Sequence, residues 1–374
     1  MLAAAVLAAA VLAAVAPAAV AQGGAAVITF PDEPRTRRER AALAMDHGSL
    51  GPLLRAEGYR PASNDEIYLA EIVPGVGQPA LVPYDAGQGA FSQNFWPASS
   101  VKVLTAVAAL EQVGSMGFSG DAVIEGSWLG ERTLRSIYER AVIDSDNRSY
   151  DLLVRIAGLD AINQEFLPRH GLEVGTIGSA FTDLSILVSP SYTLREWTSP
   201  DHLDLPSYLI RHLRTGEMPR RTTSRAYRSN NFDLFDLAEV VRRVMLHSEL
   251  PDDDRFELAP RDVIGLQTAL CLAKPAHYQA GAAAEWGEDV EVCGKSGWWV
   301  RTAEPEEGAG EAEEPERLPP ACTDVALITD PDTGRRILLA ATGGCYGTGL
   351  PDLAGPALRA TAALSGTPLQ HDAG

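Results

Sequence analysis

The chain contains only three lysines, Lys102, Lys274 and Lys295, among 31 Lys and Arg residues. Wherever a bare positive charge is enough, the sequence uses arginine. Arginine keeps its proton in a protein, whereas a lysine amine can lose one. Two of the three lysines stand in short patterns that could use this property. Lys102 closes Ser99-Ser100-Val101-Lys102, and Lys295 opens Lys295-Ser296-Gly297. Lys274 has no such company and reads as a surface charge.

Ser99 and Lys102 are three apart at the start of an apolar run. A helix there puts both on one face and turns Ser100 away. A serine hydroxyl needs an adjacent base to become a nucleophile. A lysine amine serves if burial and a second cation lower its pKa by roughly three units from about 10.4. Lys295 is the candidate second cation. The helix start also offers free N–H groups to a developing oxyanion. S-x-x-K alone is a weak pattern, and an exposed helical lysine is its ordinary meaning. Ser145-Asp146-Asn147 precedes a strong helical pattern and, alone, suits an N-cap loop. Lys295-Ser296-Gly297, alone, is a strand with one charge and a glycine that admits another backbone. Trp298 and Trp299 follow, and alternation along a strand would bury one and leave the other for a cleft.

Together and in this order, the three patterns match the signature of serine β-lactamases and penicillin-binding proteins. The run Pro97-Ala98-Ser99-Ser100-Val101-Lys102-Val103-Leu104-Thr105 resembles the nucleophile helix of D-alanyl-D-alanine carboxypeptidases. Ser145-Asp146-Asn147 through Gly158-Leu159-Asp160-Ala161-Ile162-Asn163 is similar to a class A β-lactamase segment, and Lys295-Ser296-Gly297 to the K-[TS]-G strand. Ser229-Asn230-Asn231 also fits S-x-N, but its flanks do not match. The resemblance implies an α+β, three-layer α-β-α fold with a five-stranded antiparallel sheet and a helical subdomain.

It also implies roles. Ser99 attacks an amide or lactam carbonyl, and Lys102 takes its proton. Ser145 relays a proton to the leaving nitrogen. Asn147 binds the substrate's side-chain amide. Lys295 and Ser296 hold its carboxylate beside Gly297, and the backbone N–H groups of Ser99 and Trp298 form the oxyanion hole. Neither cofactor nor metal is implied. The partner is a β-lactam or a peptidoglycan-type peptide. One departure is visible: class A enzymes carry E-x-x-x-N after the second motif. Here Glu165, Glu173 and Glu196 are followed four residues on by Arg169, Ile177 and Pro200. Either Glu173 or Asp183 supplies the deacylating base, or deacylation is slow. A second reading is a binding or scaffold module that kept the cleft without turnover.

The elements that must position these residues are partly legible. The pattern predicts a short charged helix over 36–45, with Thr36 and Glu39 at capping-box spacing. Strands over 66–73 and 80–84 flank Pro74-Gly75-Val76-Gly77, a hairpin. Apolar helices are expected over 101–113, 149–166, 234–246 and 261–272. Strands follow over 290–301, 324–329 and 336–341, and a closing helix over 351–365. Strands at both ends with helices between predict one composite antiparallel sheet and a helical middle, about 97–285. The stretch 171–231 is irregular. The stretch 303–320, rich in Glu, Gly, Ala and Pro, reads as a disordered acidic loop. One catalytic domain, 60–365, would follow a leader and helix over 22–59 and precede a tail, 366–374.

At 45% hydrophobic and 22% charged residues the chain is globular in composition. Its formal charge of −19 excludes phosphate-backbone binding, which needs clustered Lys and Arg, so no nucleic-acid partner is expected. Residues 2–21 are almost wholly apolar and end at Ala19-Val20-Ala21, a cleavage signature without a basic start. A secretory signal over 1–21, or an uncleaved anchor, places the remainder outside the cytoplasm as a secreted or periplasmic monomer. There the four cysteines pose a disulfide question with three possible connectivities. Cys322 and Cys345 flank the hairpin around Pro331-Asp332-Thr333-Gly334 and stand roughly opposite each other. Cys271 and Cys293 form the remainder pair. Closing the first loop would contribute roughly 3 kcal/mol. No C-x-x-C, H-E-x-x-H or G-x-S-x-G occurs, so zinc and α/β-hydrolase chemistry have no footing.

Overall fold

The computed structural model describes residues 36–366, apart from 93–95, 127–129, 173–174, 179–180, 183–191, 196–202, 206–229, 275–276, 303–316 and 346–348. The expected signal segment, most of the leader, most of the acidic loop and nearly all of the tail lie outside the described residues. So do Glu173, Asp183, Glu196 and Ser229.

The two ends of the chain meet in one sheet. The first hairpin is β1 (Glu66–Val73) and β2 (Ala80–Gly87). Two further hairpin-linked strands are β8 (Arg317–Thr329) and β9 (Arg336–Gly344), with β7 (Glu291–Thr302) before them. Their order is β2-β1-β9-β8-β7, and every neighbouring pair is antiparallel. Alternate residues go to opposite faces, as the pleat requires. Tyr68, Ala70, Leu338 and Ala340 face one hydrophobic cluster, and Ile67, Leu69, Leu339 and Ala341 the other. Helices cover both faces, so the architecture is a three-layer α-β-α sandwich, as expected.

Helix α1 (Arg37–Ala44) carries the anticipated capping box between Thr36 and Glu39. Helix α2 (Leu50–Ala56) buries Leu50 and Leu54 against the second cluster. The helical body on the other face holds α3 (Lys102–Gly114), α4 (Leu134–Val142) and α5 (Asn147–Ala157). It also holds α6 (Leu234–Met245) and α7 (Pro260–Leu272). Helix α3 is buried nearly all round, which marks it as the central helix of that body. Helices α8 (Gln279–Trp286) and α9 (Ala354–Ser365) return to the second face.

Three elements differ from the sequence expectation. The helix expected over 149–166 breaks at Gly158, whose φ of +83° caps α5, and a new helical run covers 159–169. Residues 317–320 belong to β8 rather than to the acidic loop. A bulge after Trp299 lets Arg301 pair with Leu318 and Thr302 with Arg317, so the hairpin continues outward. A second sheet of order β4-β3-β5-β6 was not foreseen. It holds β3 (Val123–Gly126), β4 (Gly130–Thr133), β5 (Tyr192–Arg195) and β6 (Leu203–Leu205). Strands this short offer too few alternations to stand out.

Two disulfides and one ionic cluster tie elements together. Both disulfides take the expected pairing, Cys322–Cys345 and Cys271–Cys293. The latter joins α7 to β7 two residues before Lys295. Arg37 and Arg38 of α1 reach buried carboxylates on and beside α6. Arg38 pairs with Asp233 and Asp236, and Arg37 with Asp254 and Glu239. Arg242 grips Glu239 through two bonds of 2.7 Å and 2.8 Å and Asp254 at 2.9 Å.

Candidate active site

A 3-10 turn, Ala98–Val101, feeds directly into α3. It turns Ser100 inward, where its hydroxyl donates to the Pro97 carbonyl at 2.6 Å. Ser99 stays partly exposed at the helix start. Ala98 adopts φ +48°, a left-handed conformation that costs a non-glycine residue of order 1–3 kcal/mol. Strand β7 lies against this turn at Gly297. A Cβ there would stand 2.5 Å from Ser99 N and 2.9 Å from the Pro97 carbonyl oxygen, so only glycine admits the approach.

Lys102 is fully buried (0% exposed). Its Nζ donates to the Ser145 carbonyl, to Asn147 Oδ1 at 2.7 Å, and lies 3.3 Å from Ser145 Oγ. Burial lowers its pKa to about 7, with the Lys295 charge adding to the effect and Asp146 and Asp151 opposing it. A neutral amine has two hydrogens and one lone pair. The two carbonyl-type oxygens use both hydrogens, which leaves the lone pair as a proton acceptor.

Ser145 is brought to this point by strain and capping. Its φ is +56°, and Asp146 beside it caps α5 by accepting from Ser149 N at 2.7 Å. Lys295, also buried, donates to Ser145 Oγ at 3.1 Å and to the Ser296 carbonyl at 2.9 Å. Ser145 Oγ thus stands between the two amines. With Lys295 donating to it, its own hydrogen is free to point toward Lys102. Burial lowers the Lys295 pKa to about 8, opposed by Asp324.

The structure therefore gathers Lys102, Ser145, Asn147 and Lys295 into one hydrogen-bonded cluster, with Gly297 packed on the turn that carries Ser99. Ser296 is buried on the opposite pleat, and Trp298 is 61% exposed. The Trp299 side chain lies outside the described residues. The rival Asn230 has other partners: it donates to Tyr150 OH at 2.8 Å and accepts from Gly178 N at 3.0 Å.

Sequence reasoning missed one wall of the site. The Phe181 ring lies 5.3 Å from Lys102 Nζ and stacks on Tyr150 at 4.3 Å, with Trp96 at its edge. Asp151, fully buried on α5, fixes that ring's backbone by accepting from Phe181 N at 2.7 Å and Thr182 N at 2.9 Å. Phe181 sits in the irregular stretch, where no periodicity could have flagged it. The two carboxylates that act on Lys102 are thus both engaged, Asp146 as a helix cap and Asp151 as a loop anchor.

No protein-family model matches the chain, and no curated protein does either. Solved structures do. The TLA-3 extended-spectrum beta-lactamase aligns over 86% of this chain and 100% of its own, with TM-score 0.52 and 11% identity. PBP-A aligns over 85% and 97%, with TM-score 0.52 and 13% identity. A beta lactamase from Burkholderia vietnamiensis aligns over 88% and 99%, with TM-score 0.51 and 15% identity. At these identities the likeness speaks for the fold, while chemistry must be argued from the site. The chain has the fold of the serine β-lactamases and penicillin-binding proteins.

Proposed function

We propose that this chain is an exported serine hydrolase that forms an acyl-enzyme through Ser99 on a β-lactam or a D-alanyl peptide. The observation that carries the reading is the meeting of two buried lysine amines on one hydroxyl, 3.3 Å and 3.1 Å from Ser145 Oγ, beside the turn that presents Ser99. Ser99 Oγ attacks the carbonyl carbon while its proton passes to the Lys102 lone pair. The C–N bond breaks as that proton reaches the leaving nitrogen through Ser145. The N–H groups of Ser99 and Trp298 receive the oxyanion, and one such donor is typically worth about 3 kcal/mol. Lys295 and Ser296 take the substrate carboxylate, and Asn147 its side-chain amide. The apolar N-terminal segment and the two disulfides support export. Among the described residues no helix is long and apolar enough to cross a membrane.

Mass spectrometry after incubation with a fluorescent penicillin tests this. A single adduct is expected on the wild type and none on Ser99→Ala. No adduct on the wild type, or an undiminished one on the variant, would sink the reading.

One observation favours a second reading, a binding module without turnover. The Phe181 ring lies 5.3 Å from Lys102 Nζ, and Asp146 and Asp151 are committed to backbone amides. Deacylation is accordingly expected to be slow. Nitrocefin hydrolysis that disappears with Ser99→Ala would rule the second reading out.

A further inference from the structure

Three alternate positions of β7 face the helical body, and each touches a different part of it. Gly297 packs on the turn that carries Ser99, and Lys295 donates to Ser145 Oγ at 3.1 Å. Cys293, two residues before Lys295 and 3% exposed, is bonded to Cys271 in the last turn of α7. The same end of α7 also reaches the far side of the site. Three residues after Cys271, the Lys274 N–H donates to the Ile143 carbonyl at 3.3 Å, and Ile143 lies two residues before Ser145. The end of α7 thus holds the strand behind Lys295 by a covalent bond and the chain behind Ser145 by a hydrogen bond. Among the described residues β7 has β8 on one side and no strand on the other. The ladder ties β7 to the sheet, so its placement against the helices depends on contacts across the layer, Gly297 toward one end and Cys293 toward the other.

We propose that the Cys271–Cys293 bridge and the Lys274 amide form a bracket that sets the separation of Lys295 from Ser145, and that a thiol reductant which opens the bridge slows acylation of Ser99. The acylation half rests on the function proposed above. Cys271 is exposed, whereas Cys293 and both members of the Cys322–Cys345 bridge are buried. An incoming thiolate is therefore directed to the Cys271 sulfur. The S–S bond breaks, Cys293 leaves as a thiolate and takes up a proton, and the thiol is joined to Cys271 in a mixed disulfide. A second thiol displaces the first, so two thiols are oxidised to one disulfide while the protein bridge is reduced to two thiols. Cys293 then keeps only its packing in the apolar cluster. The contact at stake is the 3.1 Å hydrogen bond from Lys295 to Ser145, which a displacement of about 1 Å would break.

Treatment of the oxidised chain with dithiothreitol and then iodoacetamide tests both halves. Peptide mass spectrometry should find Cys271 and Cys293 alkylated and Cys322 and Cys345 still joined. In this protein amide hydrogen exchange should rise over 143–147 and 293–297, while β1 and β9 stay protected. The rate of Ser99 adduct formation with a fluorescent penicillin should fall about 10- to 100-fold. Cys271→Ala/Cys293→Ala, which carries no added group, should behave alike. Reoxidation of reduced, unalkylated chain should restore the rate. A bridge that only stabilises would lower the melting temperature alone. Unchanged exchange at the two segments of the folded, unbridged chain would overturn the bracket, and an unchanged adduct rate would overturn its link to the reaction. If no unbridged form folds, the oxidised wild type still decides: 143–147, 271–274 and 293–297 should exchange as one unit, and separate exchange would overturn the bracket. Because exchange needs no substrate, absence of a Ser99 adduct on the oxidised wild type would count against the acylation reading alone.

Discussion

If Ser99 is acylated as proposed, two titrating amines set two limits on the reaction. Below about 7 Lys102 carries a proton and offers no lone pair. Above about 8 Lys295 loses the charge proposed to receive the substrate carboxylate. The acylation rate should therefore trace a narrow bell with its maximum between these values, whose limbs belong to the coupled pair. Adduct formation measured from pH 5 to 10 checks this, and a flat profile would contradict it. The same shifts act on stability with a definite sign. The unfolded chain keeps both protons up to about 10.4, whereas the folded chain releases them earlier. Between about pH 7 and 10 the unfolded state thus binds more protons, and these two groups make stability rise with pH. Lys102→Arg keeps the charge and loses the base. It should abolish acylation while circular dichroism stays native, and an active Arg variant would refute the assignment.

At the scale of elements, Gly297 is the contact that joins β7 to the turn carrying Ser99. Gly297→Ala places a methyl group 2.5 Å from Ser99 N, against backbone that cannot swing aside. Acylation should fall by at least about 100-fold, with a stability loss of about 1–3 kcal/mol, read from adduct formation and from denaturant melts. A fully acylated, unshifted variant would show that β7 and the turn are not held together as described. This contact was legible in part, since Lys295-Ser296-Gly297 announces a strand that admits another backbone. The main sheet and α3 were legible too, because their apolar spacing is long and regular. The short strands β3 to β6 and the wall residue Phe181 were not. They lie in stretches where position is set by tertiary anchors such as Asp151 rather than by local periodicity.

For the whole molecule, the sheet shared by both ends means that neither end can be lost lightly. The first described helix contributes little apolar burial, with only Ala41 fully covered. Its role is electrostatic. Asp233, Asp236, Glu239 and Asp254 are buried; Arg242 and Arg243 reach Glu239 and Asp254, whereas Asp233 and Asp236 pair with Arg38 of α1. Arg37 and Arg38 bring the cluster to balance. Removing one partner of a buried pair costs about 3–5 kcal/mol, because the other charge is stranded. A chain starting at residue 46 should therefore melt well below one starting at residue 36, and equal melting temperatures would show that α1 is dispensable. The consequence is a boundary for proteolytic trimming. A cut that leaves Thr36 as the first residue keeps both arginines in place. One that reaches Arg38 exposes a cluster of unmatched acids, and the product should be recognised by its sensitivity to further digestion.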